Sequence, residues 1–434
     1  MEAERITADI AGRLKIGYGH PIVIQTMCNT STDDIEASLA QCRAMAAAGA
    51  GMIRLTTQGL RQVESLSRIK ERLRAEGILT PLVADIHFLA DAALAAARVA
   101  DKVRINPGNF AKDHAVACSK FAELIDICKA EGTAIRIGLN HGSLGERITS
   151  RYGNTPLAMK EAVMEWLRMC VEKDFHNVVI SLKASNTVVM VEAYRLLFAA
   201  MRDELGLIFP LHLGVTEAGN GDEGRIKSAV GIGALLSEGI GDTVRVSLTE
   251  DPVNEIPAGK AIVDAINEGY VPGGKDRVEA ESWNDFIIKA SCLWGPALLD
   301  KKIDDFCLSG STIAGKPLTE EQACGFKDKL MQAARRRFTS PEYIACPGCG
   351  RTLYDLESAF NEVKRRTSHL AGVKIAVMGC VVNGPGEMAD ADYGYVGEGR
   401  AHVTLYRGRT PVYRYIPQEE AIDLLLKMIE EDKA

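Results

Sequence analysis

The sequence predicts an α/β fold, a (β/α)8 TIM barrel followed by a smaller α+β domain. Short apolar, β-branched runs recur eight times in the first part of the chain and are separated by helical stretches. This alternation of strand and helix signals does not continue in the rest of the chain. Strands that are apolar on both faces and alternate with helices are typical of a parallel sheet. Eight such units in about 250 residues match a barrel. A doubly wound sheet is the alternative, but no glycine-rich dinucleotide fingerprint follows the first strand.

The eight strand candidates are short segments of similar character. They are PIVIQT from Pro21, MIRLT from Met52, PLVADI from Pro81, KVRI from Lys102, TAIRIG from Thr133, NVVISL from Asn177, FPLHLG from Phe209 and DTVRVS from Asp242. Between them lie helical stretches such as DDIEASLAQCRAMAAAG, and glycine closes several of these at a C-cap position.

The chain is long enough for two or three domains. We expect the barrel over residues 1–268, a connector or reduced middle domain over 269–340, and a compact α+β domain over 341–434. The middle part contains GGKDRVEAESWND and the basic KLMQAARRRF, and its pattern does not predict a fold.

Composition narrows the class of protein. Hydrophobic residues make up 47% and charged residues 25%, an ordinary globular mixture, and the net charge of −7 argues against a nucleic-acid partner. The N-terminus is charged from its second residue, and no apolar run approaches the roughly 20 residues of a membrane span. We therefore expect no membrane partner. We expect the protein to be cytoplasmic if its source is bacterial, and organellar if its source carries plastids.

Charged residues inside the predicted strands need an explanation. Four arginines and one lysine interrupt apolar strand signals, namely Arg54, Arg104, Arg136, Arg245 and Lys183. Each falls near the C-terminal end of its strand, so in a barrel they converge on the mouth where barrel enzymes place their active sites. Either carboxylates such as Asp85 or Glu217 neutralise them, or they hold an anion such as a phosphate or diphosphate.

Other polar side chains fall at the same strand ends, where they are candidates for substrate binding. They are His87, Asn106, Asn140 and Ser247. Glu217, in LGVTEAG, is the best-placed carboxylate for proton transfer, although a buried ion pair explains it nearly as well.

Three of the eleven cysteines form a set near the C-terminus. CPGCGRT supplies Cys346 and Cys349, and MGCVVNGPGE supplies Cys380, with Glu387 seven residues later. Structural zinc usually takes four Cys or His ligands, whereas three thiolates suit a [4Fe–4S] cluster with another ligand on one iron. The pattern favours the cluster over zinc, and both over a redox dithiol. The remaining cysteines are expected to pack mainly as small hydrophobic residues.

The motifs together resemble a known family. CPGCGRT and MGCVVNGPGE, preceded by IQTMCNT, IRLTTQG, LVADIHF, VRINPGN, IRIGLNHGSL, LGVTEAG and GDTVRVSLT, resemble the 4-hydroxy-3-methylbut-2-en-1-yl diphosphate synthases. The resemblance implies reductive opening of 2-C-methyl-D-erythritol 2,4-cyclodiphosphate to a linear allylic diphosphate with loss of water. It also implies a [4Fe–4S] cluster, flavodoxin or ferredoxin as electron donor, and a homodimer.

The resemblance also assigns residues. Cys346, Cys349, Cys380 and Glu387 match the family's cluster ligands, while Glu217 and Asn383 match residues near the reacting carbon–oxygen bond. The diphosphate site is matched by Arg54, Arg104, Arg136, Lys183, Arg245 and Ser247.

In this family the active site forms where the barrel meets the iron–sulfur domain, commonly that of the other subunit. Several motifs are most similar to long, plant-type members with a full extra domain between the two, for which residues 251–340 leave little room. Closure within one chain and closure between two chains are therefore both open. The rival functions are a zinc-stapled phosphosugar aldolase or isomerase that uses Lys183 as a Schiff-base amine, and a non-catalytic iron–sulfur redox sensor.

Overall fold

The computed structural model describes residues 3–352, 354–382, 384–388 and 390–433, with the side chain of 433 left aside. Its first elements seal one end of a barrel. Strand β1 (Glu4–Arg5) is followed by a hairpin of β2 (Thr7–Ile10) and β3 (Leu14–Gly17). Ala8, Ile10 and Ile16 of this hairpin are buried against one layer of barrel residues, Val23, Met52, Val83, Ala134 and Val179. The hairpin thus closes the end of the barrel opposite the strand C-termini.

The eight predicted strands form one parallel sheet, which confirms the barrel. In chain order they are β4 (Val23–Met27), β5 (Met52–Thr56), β6 (Leu82–Asp85), β7 (Lys102–Ile105), β8 (Ala134–Asn140), β9 (Val178–Lys183), β11 (His212–Leu213) and β12 (Thr243–Val244). The sheet order is β11-β12-β4-β5-β6-β7-β8-β9, and a parallel bridge from Ile180 to Leu211 joins its two ends. The intervening β10 (Leu207–Ile208) pairs with β1 outside the barrel.

Helices surround the barrel as the alternating pattern requires. They are α1 (Ile35–Ala47), α2 (Leu60–Ala75), α3 (Ala90–Ala96), α4 (His114–Glu131), α5 (Glu146–Tyr152), α6 (Pro156–Glu172), α7 (Thr187–Ala200), α8 (Gly221–Leu236) and α9 (Glu255–Asn267). Side chains of Asp34, Asp113, Thr155 and Asn186 cap the N-termini of α1, α4, α6 and α7, so polar residues before each apolar stretch set where these helices begin. In the described part of the chain no helix is both long and apolar enough to cross a bilayer.

The segment after α9 packs on the barrel and shares its core. It contains β13 (Glu279–Ala280), α10 (Trp283–Leu299), β14 (Thr312–Ile313), β15 (Lys316–Pro317) and α11 (Glu320–Ala333). Phe286 of α10 and Phe326 of α11 belong to the same buried cluster as the barrel residues. A Cβ on Gly295 of α10 would lie 2.6 Å from Val230 of α8, so glycine permits this close helix contact.

The C-terminal domain is a five-stranded sheet with helices. Its strands are β16 (Glu342–Ala345), β17 (Lys374–Met378), β18 (Tyr393–Gly399), β19 (His402–Arg407) and β20 (Thr410–Pro417), paired in sequence order. Its helices are α12 (Leu356–Thr367), the short α13 (Gly384–Glu387) and α14 (Gln418–Lys433). Phe360 of α12 and Leu425 of α14 are buried in one core of this domain, and a smaller cluster around Ile344 and Met388 forms a second.

Candidate active site

The C-terminal domain lies over the mouth of the barrel of the same chain. Ala345, at the end of β16, forms a parallel bridge with Ala218, and the hydroxyl of Thr249 donates to the carbonyl of Cys346 at 2.9 Å. On the other side of the mouth, the side chain of Asn140 donates to the carboxylate of Glu387. One chain therefore supplies both walls of the cavity between the two domains.

The space between the two domains is a cavity lined by residues of both. The barrel contributes most of the polar residues predicted from the strand ends, namely Arg54, His87, Arg104, Arg136, Asn140, Lys183, Glu217, Arg245 and Ser247. The C-terminal domain contributes Cys346, Cys349, Cys380 and Glu387. The structure thus brings together the two groups of residues that the sequence left in separate motifs.

Strand register explains why charged residues from separate strands meet. Asp85, Arg104 and Arg136 occupy paired positions on the adjacent strands β6, β7 and β8, and Met27 pairs with Arg54 on β4 and β5. Residues paired across parallel strands point to the same side of the sheet. Here that side is the barrel interior, where the side chains are buried.

Carboxylates neutralise some of these cations. Arg104 Nη1 lies 2.9 Å from an oxygen of Asp85, as the ion-pair alternative expected. Arg245 forms a two-pronged pair with Glu255, at 2.9 and 2.8 Å, a residue from the start of α9 that the strand pattern did not indicate. Glu217, the other expected partner, forms no ion pair with any described arginine or lysine side chain.

Of the strand-end cations, Arg54, Arg136 and Lys183 form no ion pair with a described carboxylate, and Arg54 instead donates to the sulfur of Met27. Arg136 is fully buried, donates only to the hydroxyl of Ser181 at 3.0 Å, and leaves its Nε and Nη2 without an acceptor. Lys183 Nζ is buried and lacks a hydrogen-bond partner as well. Burial and the neighbouring arginines lower the pKa of both groups. Because unsatisfied buried donors are costly, this arrangement is suited to an anion that enters the cavity.

Two glutamates from opposite walls meet in the cavity. Glu217 is buried at φ +48, a left-handed conformation that is uncommon for a residue with a Cβ. Burial and the adjacent Glu387 carboxylate raise the pKa of Glu217 well above its usual range. One of its oxygens accepts from the hydroxyl of Thr216 at 3.1 Å, and its carboxyl group also shares a hydrogen bond with the carboxyl group of Glu387. The raised pKa favours the protonated form of Glu217, which can donate a proton into the cavity.

The three cysteines of the C-terminal set all line the cavity, but their positions are not those of a single-ion site. In the described ranges no three His, Cys, Asp or Glu side chains converge closely enough to hold one metal ion. Burial, followed by Cys349, Glu217 and Cys380, raises the pKa of Cys346. Three thiols and the carboxylate of Glu387 in one cavity wall are a donor set that a [4Fe–4S] cluster can use.

Two other predicted site residues differ in where they lie relative to the cavity. His87 contacts Arg104, and its Nε2 lies 3.7 Å from an Asp85 oxygen. Asn106 does not line the cavity, because its amide is used locally, accepting from the backbone N–H of Gly108 and donating to Ser143. Asn383 lies outside the described residues.

Sequence reasoning overlooked Arg351, which lines the cavity from the C-terminal domain. The sequence signal for it is its position in CPGCGRT, where a charged residue follows the ligand candidate Cys349 by two positions and therefore lies close to any bound group. The eight other cysteines are predicted to pack mainly as small hydrophobic residues, Cys307 and Cys324 less so than the rest. The structure buries Cys28, Cys42, Cys128, Cys170 and Cys292, whereas Cys307 and Cys324 are exposed and Cys118 is intermediate.

Comparisons with known proteins agree with this geometry. The model of the GcpE TIM-barrel domain matches residues 7–260, and that of the GcpE protein C-terminal domain matches residues 342–431. The 4-hydroxy-3-methylbut-2-en-1-yl diphosphate synthase (ferredoxin) of Synechococcus sp. (strain CC9902) is 41% identical over 447 positions, covering 99% of this chain and 94% of the relative. The corresponding synthase (flavodoxin) of Bacteroides thetaiotaomicron is 37% identical over 597 positions, covering 97% of each chain. The chain belongs to the GcpE family.

Proposed function

We propose that this protein is a 4-hydroxy-3-methylbut-2-en-1-yl diphosphate synthase, an oxidoreductase of isoprenoid biosynthesis. It reductively opens 2-C-methyl-D-erythritol 2,4-cyclodiphosphate with two electrons, and the departing hydroxyl leaves as water. The observation that carries the proposal is the single cavity in which unpaired Arg136 and Lys183 face three cysteines and Glu387. Relatives that cover nearly the whole chain bear the same synthase name.

The donor set fits a [4Fe–4S] cluster. Cys346, Cys349 and Cys380 would hold three irons, and Glu387 would be an exchangeable ligand to the fourth, because a carboxylate is a poor match for a soft site. When bound, such a cluster would supply electrons one at a time to the substrate. Glu387 is held in place by the amide of Asn140 across the domain boundary. Cluster and substrate site would therefore meet only when the two domains are in contact.

The barrel residues would bind and orient the substrate. Arg136 and Lys183 offer charged donors without partners in the described chain, and Arg54, Arg104, Arg245 and Ser247 complete a cationic cradle for the diphosphate. His87 and Asn140 would bind from the same mouth, whereas Asn106 would act indirectly by holding the loop at Gly108 and Ser143. Fixing the diphosphate in this way orients the carbon–oxygen bond that breaks.

Glu217 would act as the general acid. It is buried beside Glu387, and both effects raise its pKa and favour its protonated form, so it would protonate the departing hydroxyl and make water the leaving group. With substrate bound, the covering domain would exclude bulk water, which would strengthen the interaction of the cavity's charges with the substrate. We also assign Asn383 to this region, on the family motif alone.

The remaining assignments concern partners and organisation. Flavodoxin or ferredoxin would deliver the electrons, since the relatives' names specify these donors. We retain a division into a barrel at 1–268, a connecting segment at 269–340 and a cluster domain at 341–434. We also retain a cytoplasmic homodimer, in which each chain closes its own site.

Anaerobic purification followed by visible absorbance, iron and sulfide analysis, and assay with the cyclodiphosphate and a reductant tests the proposal. We expect about four irons and four sulfides per chain and reductive turnover. Zinc without iron would refute the cluster and favour the aldolase or isomerase alternative. A cluster without turnover would refute the synthase and favour a redox sensor.

A further inference from the structure

Arg351 connects the cysteine motif to the barrel. It follows Cys349 by two residues, and its side chain, only 7% exposed, reaches across the domain boundary to Asp85 on β6. The Nη2 atom of Arg351 lies 3.4 Å from an Asp85 oxygen, and the Asp85 side chain is 2% exposed. This is a buried ion pair between the domains, in the wall of the cavity.

Asp85 alone does not balance the positive charge around it. The same carboxylate pairs with Arg104 at 2.9 Å and lies 3.7 Å from His87, and it also interacts with Arg54. One negative charge is thus shared by several positive groups. Asp85 therefore neutralises the guanidinium of Arg351 only in part, and the remaining positive charge acts on the groups on the side of Arg351 away from Asp85.

The cysteine set lies on that other side. Arg351 lines the same cavity as Cys349 and Cys380. The side chain of Arg351 interacts with the thiol of Cys349, and its buried Nε and Nη1 atoms have no other hydrogen-bond partner in the described chain. Donors of this kind suit the sulfur atoms of a cluster, whose electron-rich sulfides and thiolates accept hydrogen bonds.

We propose that Arg351 is a positioning residue that anchors the cluster-binding loop to Asp85 and makes a bound cluster easier to reduce. A positive charge beside the cluster stabilises the form that carries the extra electron, and hydrogen bonds to its sulfurs act in the same direction. Because the anchor belongs to the barrel, the loop takes up this position fully only when the domains are in contact. The inference rests on the proposed function for the identity of the cluster, and not on turnover.

The first test measures the cluster midpoint potential by redox titration of the intact, cluster-loaded protein, followed by electron paramagnetic resonance. We expect R351M to shift the potential to a more negative value and R351K to restore most of the difference, since lysine keeps the charge. The matched control is R366M, because Arg366 lies in the same domain but pairs at the surface with Asp423. An unchanged potential in R351M would overturn the proposed effect on the cluster.

The second test does not need the cluster, so it applies even if R351M fails to retain iron. Unfolding of the cluster-free full chain is compared for R351M, D85N and the double variant. If the pair anchors the loop, the double variant is less destabilised than the sum of the two single variants. If the double variant is destabilised by the sum of the two single variants, the pair does not anchor the loop and the proposal is wrong. Absence of turnover alone would refute the synthase reaction, but the midpoint potential and the unfolding comparison would still test the role of Arg351.

Discussion

Gly142 and Gly386 bring the backbones of the two domains into close contact. Gly142 follows β8 in the barrel, and Gly386 lies in α13, directly before Glu387. A Cβ built on Gly142 would lie 2.3 Å from the carbonyl oxygen of Gly386, whereas ordinary contact begins at 3.4 Å. Because the obstructing atom is backbone and cannot rotate away, G142A must separate the two segments by about 1 Å, a displacement that can cost about 100-fold in rate.

We therefore expect G142A to retain its iron content and its unfolding behaviour while kcat falls by about 100-fold. Steady-state kinetics with the cyclodiphosphate and a chemical reductant, beside iron analysis, measures both effects. G325A is the matched control, since Gly325 lies in α11 with no neighbouring atom within 4 Å of the position that a Cβ would take. Wild-type kcat in G142A would refute the view that this close contact is needed for turnover.

Three further substitutions test individual side chains. E217Q should lower kcat by about 10² to 10⁴-fold. It should also stabilise the cluster-free chain, increasingly as pH rises above about 4.5, because burial holds a proton on folded Glu217 that the unfolded chain releases. The same dependence of unfolding free energy on pH in E217Q and wild type would contradict this. E387A should keep three-cysteine cluster binding at least in part but lose about 100-fold or more of activity, and full activity beside normal iron content would remove Glu387 from the mechanism. His87 has its pKa lowered to about 3 by burial and by Arg104, so between pH 6.5 and 3 the unfolded chain binds a proton that the folded chain does not. Between pH 5.5 and 4.5 stability should therefore fall on acidification by about 1.3 kcal/mol from this group, and H87Q should lose that much less over the same interval in denaturant titrations; an equal loss would exclude His87 as the source.

The strands and the cationic mouth were predictable because their signals are local. A run such as MIRLT shows both the strand and the anomalous charge of Arg54, and strand ends in a barrel necessarily meet at one mouth. The resemblance then joined these residues to the cysteine motifs. The N-terminal hairpin was not predicted, because its two four-residue strands carry little periodicity and their burial depends on the barrel end that they cover.

Pairing between distant residues could not be predicted. Arg245 is neutralised by Glu255, which the sequence places in a helix, and only the fold brings that helix start to the end of β12. Arg351 and Asp85 are separated by 266 residues, so no pattern within either motif relates them. The left-handed conformation of Glu217 is likewise imposed by the packed domains and has no sequence signal.

Whether each chain closes its own site can be tested by complementation. The structure surrounds one cavity with Lys183 of the barrel and Cys380 of the same chain's C-terminal domain. K183M and C380S should therefore each lack activity, and their co-expressed mixture should lack it too, because no chain in it carries both intact halves. If instead the barrel of one chain closed against its partner's cluster domain, half of the randomly mixed dimers would hold one intact site, and about a quarter of wild-type activity would return. Recovery at that level, with both variants retaining normal unfolding behaviour, would refute closure within one chain.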